Sequence, residues 1–138
     1  MLQLNHVVKY YFRGTPNEVA ALNDLTLEIR DGDFISVIGS NGAGKSTMLK
    51  TIAGLVVPDQ GTILLQGRQI THAPVYRRAM HIGRIAQDPN DSICAVMTIE
   101  ENLAMAARRG QRRGLRRAVT PGNRADFRRA LSEMSLGL

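Results

Sequence analysis

The sequence holds a single cysteine, Cys94, in 138 residues, so no disulfide can form within the chain, and a reducing compartment suits it. The expectation for Cys94 is a buried, inert thiol. No apolar run approaches the roughly 18 to 20 residues that a bilayer-spanning helix needs. The N-terminal stretch "MLQLNHVVKYYFRG" lacks the basic-then-apolar order of a signal peptide. Together these absences predict a cytoplasmic protein that meets a membrane only through a partner. His6, His72 and His81 show no metal-ligand spacing and are read as structural or surface residues. Acid is scarce towards the C-terminus: between Arg108 and Arg129 nine arginines stand against Asp126 alone, so the net charge of +6 belongs to that third of the chain.

What is present falls into two regions, expected as 1–88 and 89–138. In "LTLEIR", Leu25, Leu27 and Ile29 alternate with Thr26, Glu28 and Arg30, a period of two that places one apolar face on a strand. Asp31-Gly32 is a hairpin signal, and the continuously apolar "DFISVIG" after it reads as a central strand buried on both faces. "HIGRIAQ" reads as a second buried strand, broken by Asp88-Pro89. Between them, "KSTMLKTIAGL" places Met48, Leu49, Ile52 and Ala53 at helical spacing, with Gly54 suited to end the helix. Pro58-Asp59-Gln60-Gly61 reads as a turn and "TILLQG" as a further strand. From residue 98 the pattern is helical: Thr98 and Glu101 have capping-box spacing, and Thr120-Pro121 opens another helix whose apolar stripe is Phe127, Ala130 or Leu131, and Met134.

The stretch "GSNGAGKST", Gly39 to Thr47, carries the chemistry. Gly39-x-x-x-x-Gly44-Lys45-Ser46 matches the Walker A pattern, and its nine positions Gly39, Ser40, Asn41, Gly42, Ala43, Gly44, Lys45, Ser46 and Thr47 form the expected phosphate cradle. Glycines let backbone N–H groups turn inward around phosphate oxygens, the helix from about Lys45 adds the positive end of its dipole, and Lys45 supplies a point charge. Ser46 offers a hydroxyl to Mg²⁺. "NRAD", Asn123 to Asp126, superficially resembles the guanine-selecting Asn-Lys-x-Asp of GTPases, but helix capping and surface charge explain it better, so ATP is the expected nucleotide.

Taken with "ALNDLTLEIRDGDFISVIGSNGAGKST", "GLVVPDQGTILLQGRQIT" and "DPNDSICAVMTIEENLAMA", Gln87 makes the sequence resemble the ATP-binding subunit of ABC transporters over almost its whole length. The resemblance implies an α/β fold, a P-loop NTPase core with an N-terminal antiparallel β subdomain and the start of a helical subdomain, the domain being incomplete. It implies that Tyr11 stacks on adenine, with Tyr10 and Phe12 as alternatives, and that Gln87 helps hold Mg²⁺ and the attacking water. It implies a transmembrane permease subunit and a second nucleotide-binding subunit as partners, with a solute-binding protein engaged indirectly. The stretch "GTPNEVAALNDL" resembles one branch of import-type subunits for amino-acid-like solutes.

Neither "TILLQG" nor "HIGRIAQ" ends in paired acids, and no "LSGGQ" signature occurs before "LSEMSLGL". The expectation is therefore the N-terminal half of such a subunit, which binds ATP without turning it over. A nucleotide-binding module that never meets a membrane is the competing class. In helical register Arg108, Arg112 and Arg116 form one row and Arg109, Arg113 and Arg117 the next. A solvated face, a contact with a membrane subunit or anionic headgroups, and nucleic-acid binding compete for this stripe. No aromatic lies among these arginines for base stacking, so no nucleic acid is expected; Gly110 and Gly114 equally fit a loop.

Overall fold

The computed structural model describes residues 1–111 and 117–134, which divide into two compact units, Met1–Ile82 and Gly83 onward. The first unit is a four-stranded antiparallel sheet with a helix on it. Its strands are β1 (Leu2–Tyr11), β2 (Val19–Ile29), β3 (Gln60–Leu65) and β4 (Arg68–Gln69), in the spatial order β2-β1-β3-β4. The alternation read in "LTLEIR" holds: Leu25, Leu27 and Ile29 are half-buried while Thr26 and Glu28 are exposed.

β1 changes phase partway. Leu4 faces Leu27 and Ile63 in a regular ladder, but the register then shifts before Val7, and His6 takes a positive φ of 50°. The extra residue turns both Leu4 and Val7, three positions apart, onto the same buried face. With Leu22 and Ile63 they meet Met48 and Ile52 of helix α1 (Lys45–Ala53), which forms the core. α1 stops as expected at Gly54, whose left-handed φ of 83° lets its N–H reach back to the last-turn carbonyls. Leu49, expected on the apolar stripe, is instead 56% exposed. A short helix, α2 (Val75–Arg78), closes the unit.

Two expected strands do not form. Residues 33–39 and 81–87 contain no strand, and neither run has a ladder partner among the described residues. A strand exists through inter-strand hydrogen bonds, and an apolar run without a neighbour to pair with stays uncovered. Phe34 and Ile38 are accordingly 96% and 92% exposed, and Ile85 is 95% exposed. Asp31-Gly32 does make its turn, closed by Asp33 N–H to the Arg30 carbonyl at 3.2 Å, but no hairpin follows. Gly61 also differs from expectation, standing inside β3 rather than in a turn.

Among its described residues the second unit carries a 3₁₀ turn (Pro89–Asp91) and helices α3 (Ile99–Ala107) and α4 (Pro121–Glu133). Both N-termini carry a capping box, that of α3 as the Thr98/Glu101 spacing predicts and that of α4 as a finding of the structure beside the expected Pro121. Thr98 Oγ1 accepts from Glu101 N–H while Glu101 accepts from Thr98 N–H, and Thr120 and Asn123 exchange the same pair. Arg124 grips Glu100 with two nitrogens, Nε at 2.7 Å and Nη2 at 2.9 Å, joining α4 to α3. "NRAD" is thus a capping and ion-pairing segment. Phe127 is buried and Leu131 half-buried, whereas Ala130 and Met134 are exposed. The arginine rows do not continue α3: the helix ends at Ala107 and Gly110 takes φ 80°, a turn. Arg112, Arg113, Gly114 and Arg116 lie outside the described residues. Cys94 is half-buried rather than buried.

Candidate functional site

The loop before α1 is open and shaped by two left-handed residues. Gly42 has φ 85° and Gly44 φ 82°, and residues 39–42 are exposed. Ala43 N–H to the Ser40 carbonyl at 3.2 Å closes the turn, and Met48 N–H to the Gly44 carbonyl at 2.8 Å starts the helix. Gly44 is where the loop meets the sheet. A Cβ built there would lie 2.1 Å from the carbonyl oxygen of Ala21 on β2, so only glycine permits this approach.

Lys45 turns back over its own loop, its Nζ donating to the carbonyls of Gly39 at 2.6 Å and Ser40 at 2.7 Å. A phosphate would offer the same ammonium a charged acceptor in place of two neutral ones. The first turn of α1 contains no acid, so its orphan N–H groups and positive dipole end face no competing carboxylate within the helix. Ser46 is exposed and Thr47 half-buried on that turn. A cradle of left-handed glycines, an unopposed helix N-terminus and a nearby hydroxyl fits a phosphate chain and a magnesium ion. No cluster of three or more His, Cys, Asp or Glu exists among the described residues to hold a metal otherwise.

Tyr11 is half-buried at the end of β1, with the Lys9 ammonium 5.8 Å from its ring centroid. Its ladder partner is Val19, two residues from Ala21, so Tyr11 and the Gly44 approach share one end of the β1/β2 ladder. The neighbouring aromatics differ: Tyr10 stacks under Arg13 at 5.5 Å, and Phe12 is 69% exposed with φ 54°.

Asp59 anchors this end of β1. Its Oδ2 accepts from Tyr10 N–H at 2.7 Å and its Oδ1 from Lys9 Nζ at 3.2 Å, and the Tyr10 amide holds the carboxyl below its ordinary range, with Lys9 adding to it against partial burial. A carboxyl depressed in the folded state stabilises the protein fully above its unfolded value, about 4, and loses that contribution as pH falls through the lower folded value. Asp59→Asn is therefore expected to lower the urea midpoint at pH 7, and to show a smaller further drop than the parent when acidified below about pH 4. Equal drops in both proteins would contradict this role.

Gln87 belongs to the second unit, exposed in a bend just before the 3₁₀ turn. The loop that follows is pinned to α3 by Asn102, whose Oδ1 accepts from Cys94 N–H at 2.8 Å and whose Nδ2 donates to the carbonyls of Cys94, Met97 and Thr98. The signal for Asn102 in the sequence is slight: it stands one turn after the capping Thr98. Arg78 has no such signal, since nothing in "VYRRAM" separates it from Arg77 beside it.

An antiparallel sheet against which a glycine-rich loop and its helix are seated is the arrangement of a P-loop NTPase cassette. The comparisons narrow the class. A family model described as ABC transporter matches residues 22–138, and the chain belongs to that family. It is 38% identical over 121 residues to a tyrosine transport ATP-binding protein of Clostridioides difficile, covering 86% of this chain and 47% of that protein. A putative ABC transporter ATP-binding protein of Onion yellows phytoplasma is 39% identical over 101 residues, 73% of this chain and 17% of that one. Among solved structures, a dimeric ATP-binding cassette in a post-hydrolysis state with ADP and Pi superposes with a TM-score of 0.75 at 28% identity, covering 96% of this chain and 55% of that chain. The chain thus spans about half, or less, of the length of these relatives. No helix among the described residues is long and apolar enough to cross a membrane.

Proposed function

We propose that this chain is the nucleotide-binding part of the energy-coupling subunit of an ABC-type importer, taking ATP with Mg²⁺ at the 39–47 loop. The observation that carries the reading is the seated loop itself: Gly44 pressed against Ala21, with Lys45 and an acid-free helix start beside it. Backbone N–H groups of residues 40–46 and the Lys45 ammonium bind the phosphates, Tyr11 receives the adenine, and Ser46 would hold Mg²⁺. The ion, when bound, offsets charge on the terminal phosphates. The likeness to a tyrosine transport ATP-binding protein supports an amino-acid-like solute. The partners under this reading are a transmembrane permease, a second nucleotide-binding subunit and, indirectly, a solute-binding protein. The dimeric cassette among the structural neighbours supports the second subunit. The protein sits on the cytoplasmic face of the membrane through the permease. Neither "TILLQG" nor "HIGRIAQ" ends in paired acids to activate water, which supports binding without hydrolysis.

Lys45→Ala tests the site. Titration calorimetry with Mg-ATP is expected to show affinity lower by about a hundredfold or more, since a charge-assisted contact to the terminal phosphates disappears. Unchanged affinity would overturn the reading of the loop. Steady phosphate release by the purified protein that vanishes in Lys45→Ala would leave the site standing and overturn the absence of turnover.

A further inference from the structure

We propose that Arg78 is a positioning residue for the phosphate site, acting on it through α1; the proposal rests on the reading of the 39–47 loop as a nucleotide site. α1 has nine residues, too few to be stable alone, and no side chain caps its N-terminus. Its far end is held by Arg78. Nη1 donates to the carbonyls of Thr51 at 2.7 Å and Ile52 at 2.9 Å, both in the last turn of α1. Nη2 donates to the Thr71 carbonyl at 2.8 Å, and Nε to the Ala73 carbonyl at 3.0 Å. One planar group therefore ties the end of the helix to the segment that follows β4.

The burial of this group is what makes it more than a surface contact. Arg78 is 2% exposed and makes no ion pair among the described residues, so carbonyl dipoles alone compensate its charge. Burial lowers its pKa, yet a guanidinium stays protonated in proteins. A fixed cation at the C-terminal end of a helix is favourable to the helix dipole, whose other end faces the phosphates. The fit is tight: a Cβ on Gly54 would lie 2.8 Å from Arg78 Nε.

Without this clamp α1 is held on the sheet by Met48 and Ile52 and by the loop itself. Any tilt about those contacts moves Lys45 and the first-turn amides, and a displacement of about 1 Å in a positioned group can cost orders of magnitude in function. Lysine cannot substitute fully, because a single ammonium cannot span four acceptors spread across two segments.

The test compares Mg-ATP affinity by calorimetry for the native polypeptide, Arg78→Lys, Arg78→Met and Leu2→Ala, at a temperature where circular dichroism shows each fully folded. Leu2→Ala also destabilises, but at the end of the β1/β2 ladder away from Ala21. Arg78→Lys is expected to bind about tenfold more weakly than the parent, and Arg78→Met more weakly still, while Leu2→Ala stays within about twofold. Parent-like affinity in Arg78→Lys and Arg78→Met, or an equal loss in Leu2→Ala, overturns the proposal. If Arg78→Met does not fold, the comparison of Arg78→Lys with Leu2→Ala decides it. A parent that binds no Mg-ATP overturns the reading of the loop and this proposal with it, whereas a binding parent with unaffected Arg78 variants overturns this proposal alone.

Discussion

Gly44→Ala is expected to unseat the loop from the sheet, destabilising the protein by about 3 kcal/mol or more and reducing Mg-ATP affinity by at least about a hundredfold. Two independent costs combine. The residue sits at φ 82°, a region that costs an alanine of order 1 kcal/mol. The new Cβ would also stand 2.1 Å from the Ala21 carbonyl oxygen and 3.4 Å from Leu22 Cδ2. The first of these neighbours is backbone in a paired strand, so it cannot rotate away, and the loop must lift by about 1 Å to restore van der Waals contact. Lys45 is the next residue and moves with it. Gly42→Ala supplies the internal comparison, because Gly42 has the same hand, φ 85°, but nothing within 4 Å of its Cβ. Its stability loss should be only about 1 kcal/mol. Urea unfolding of both variants checks the stability difference, and calorimetry on Gly44→Ala checks the affinity. A Gly44→Ala protein as stable as Gly42→Ala would show that the close approach to β2 does not exist in solution.

The features that could be read in advance are those decided within a few residues of one another. The bounds of α1 follow from a motif and a terminal glycine, the cap of α3 from a Thr and its third neighbour, the start of α4 from Thr120-Pro121, and the inward face of residues 25–29 of β2 from alternation. Residues 33–39 and 81–87 failed for the converse reason. Their apolar content reports what a strand can bury, but whether it pairs depends on a neighbour that no local pattern specifies, and none stands beside them among the described residues. The candidate site divides in the same way. The identities of Gly44 and Lys45 were legible, whereas the seat of Gly44 on Ala21 joins residues far apart in the chain. Arg78 was illegible because its four acceptors are backbone carbonyls, which every residue carries. Gly61 was misplaced because "PDQG" has turn composition, while its positive φ in fact serves the sheet.

That role makes Gly61→Ala the second large effect, and a purely structural one. Gly61 has φ 88°, and an added Cβ would lie 2.3 Å from the His6 carbonyl oxygen, 2.6 Å from that of Asn5 and 2.6 Å from the His6 carbonyl carbon. All three atoms are backbone, and they belong to the shift in β1 register that turns both Leu4 and Val7 onto the core. Relieving the contact therefore means either separating β3 from β1 or undoing the shift, and the latter would rotate Val7 out of the core. We expect a loss of about 3 kcal/mol or more in urea unfolding, with faster amide exchange along β1 and β3. Because the change touches neither α1 nor the loop, the fraction that remains folded should bind Mg-ATP like the parent. A stable Gly61→Ala protein would mean that the β1 shift is not closed against Gly61. A folded variant that had lost ATP affinity would mean instead that sheet and loop are coupled more tightly than the contact at Gly44 requires.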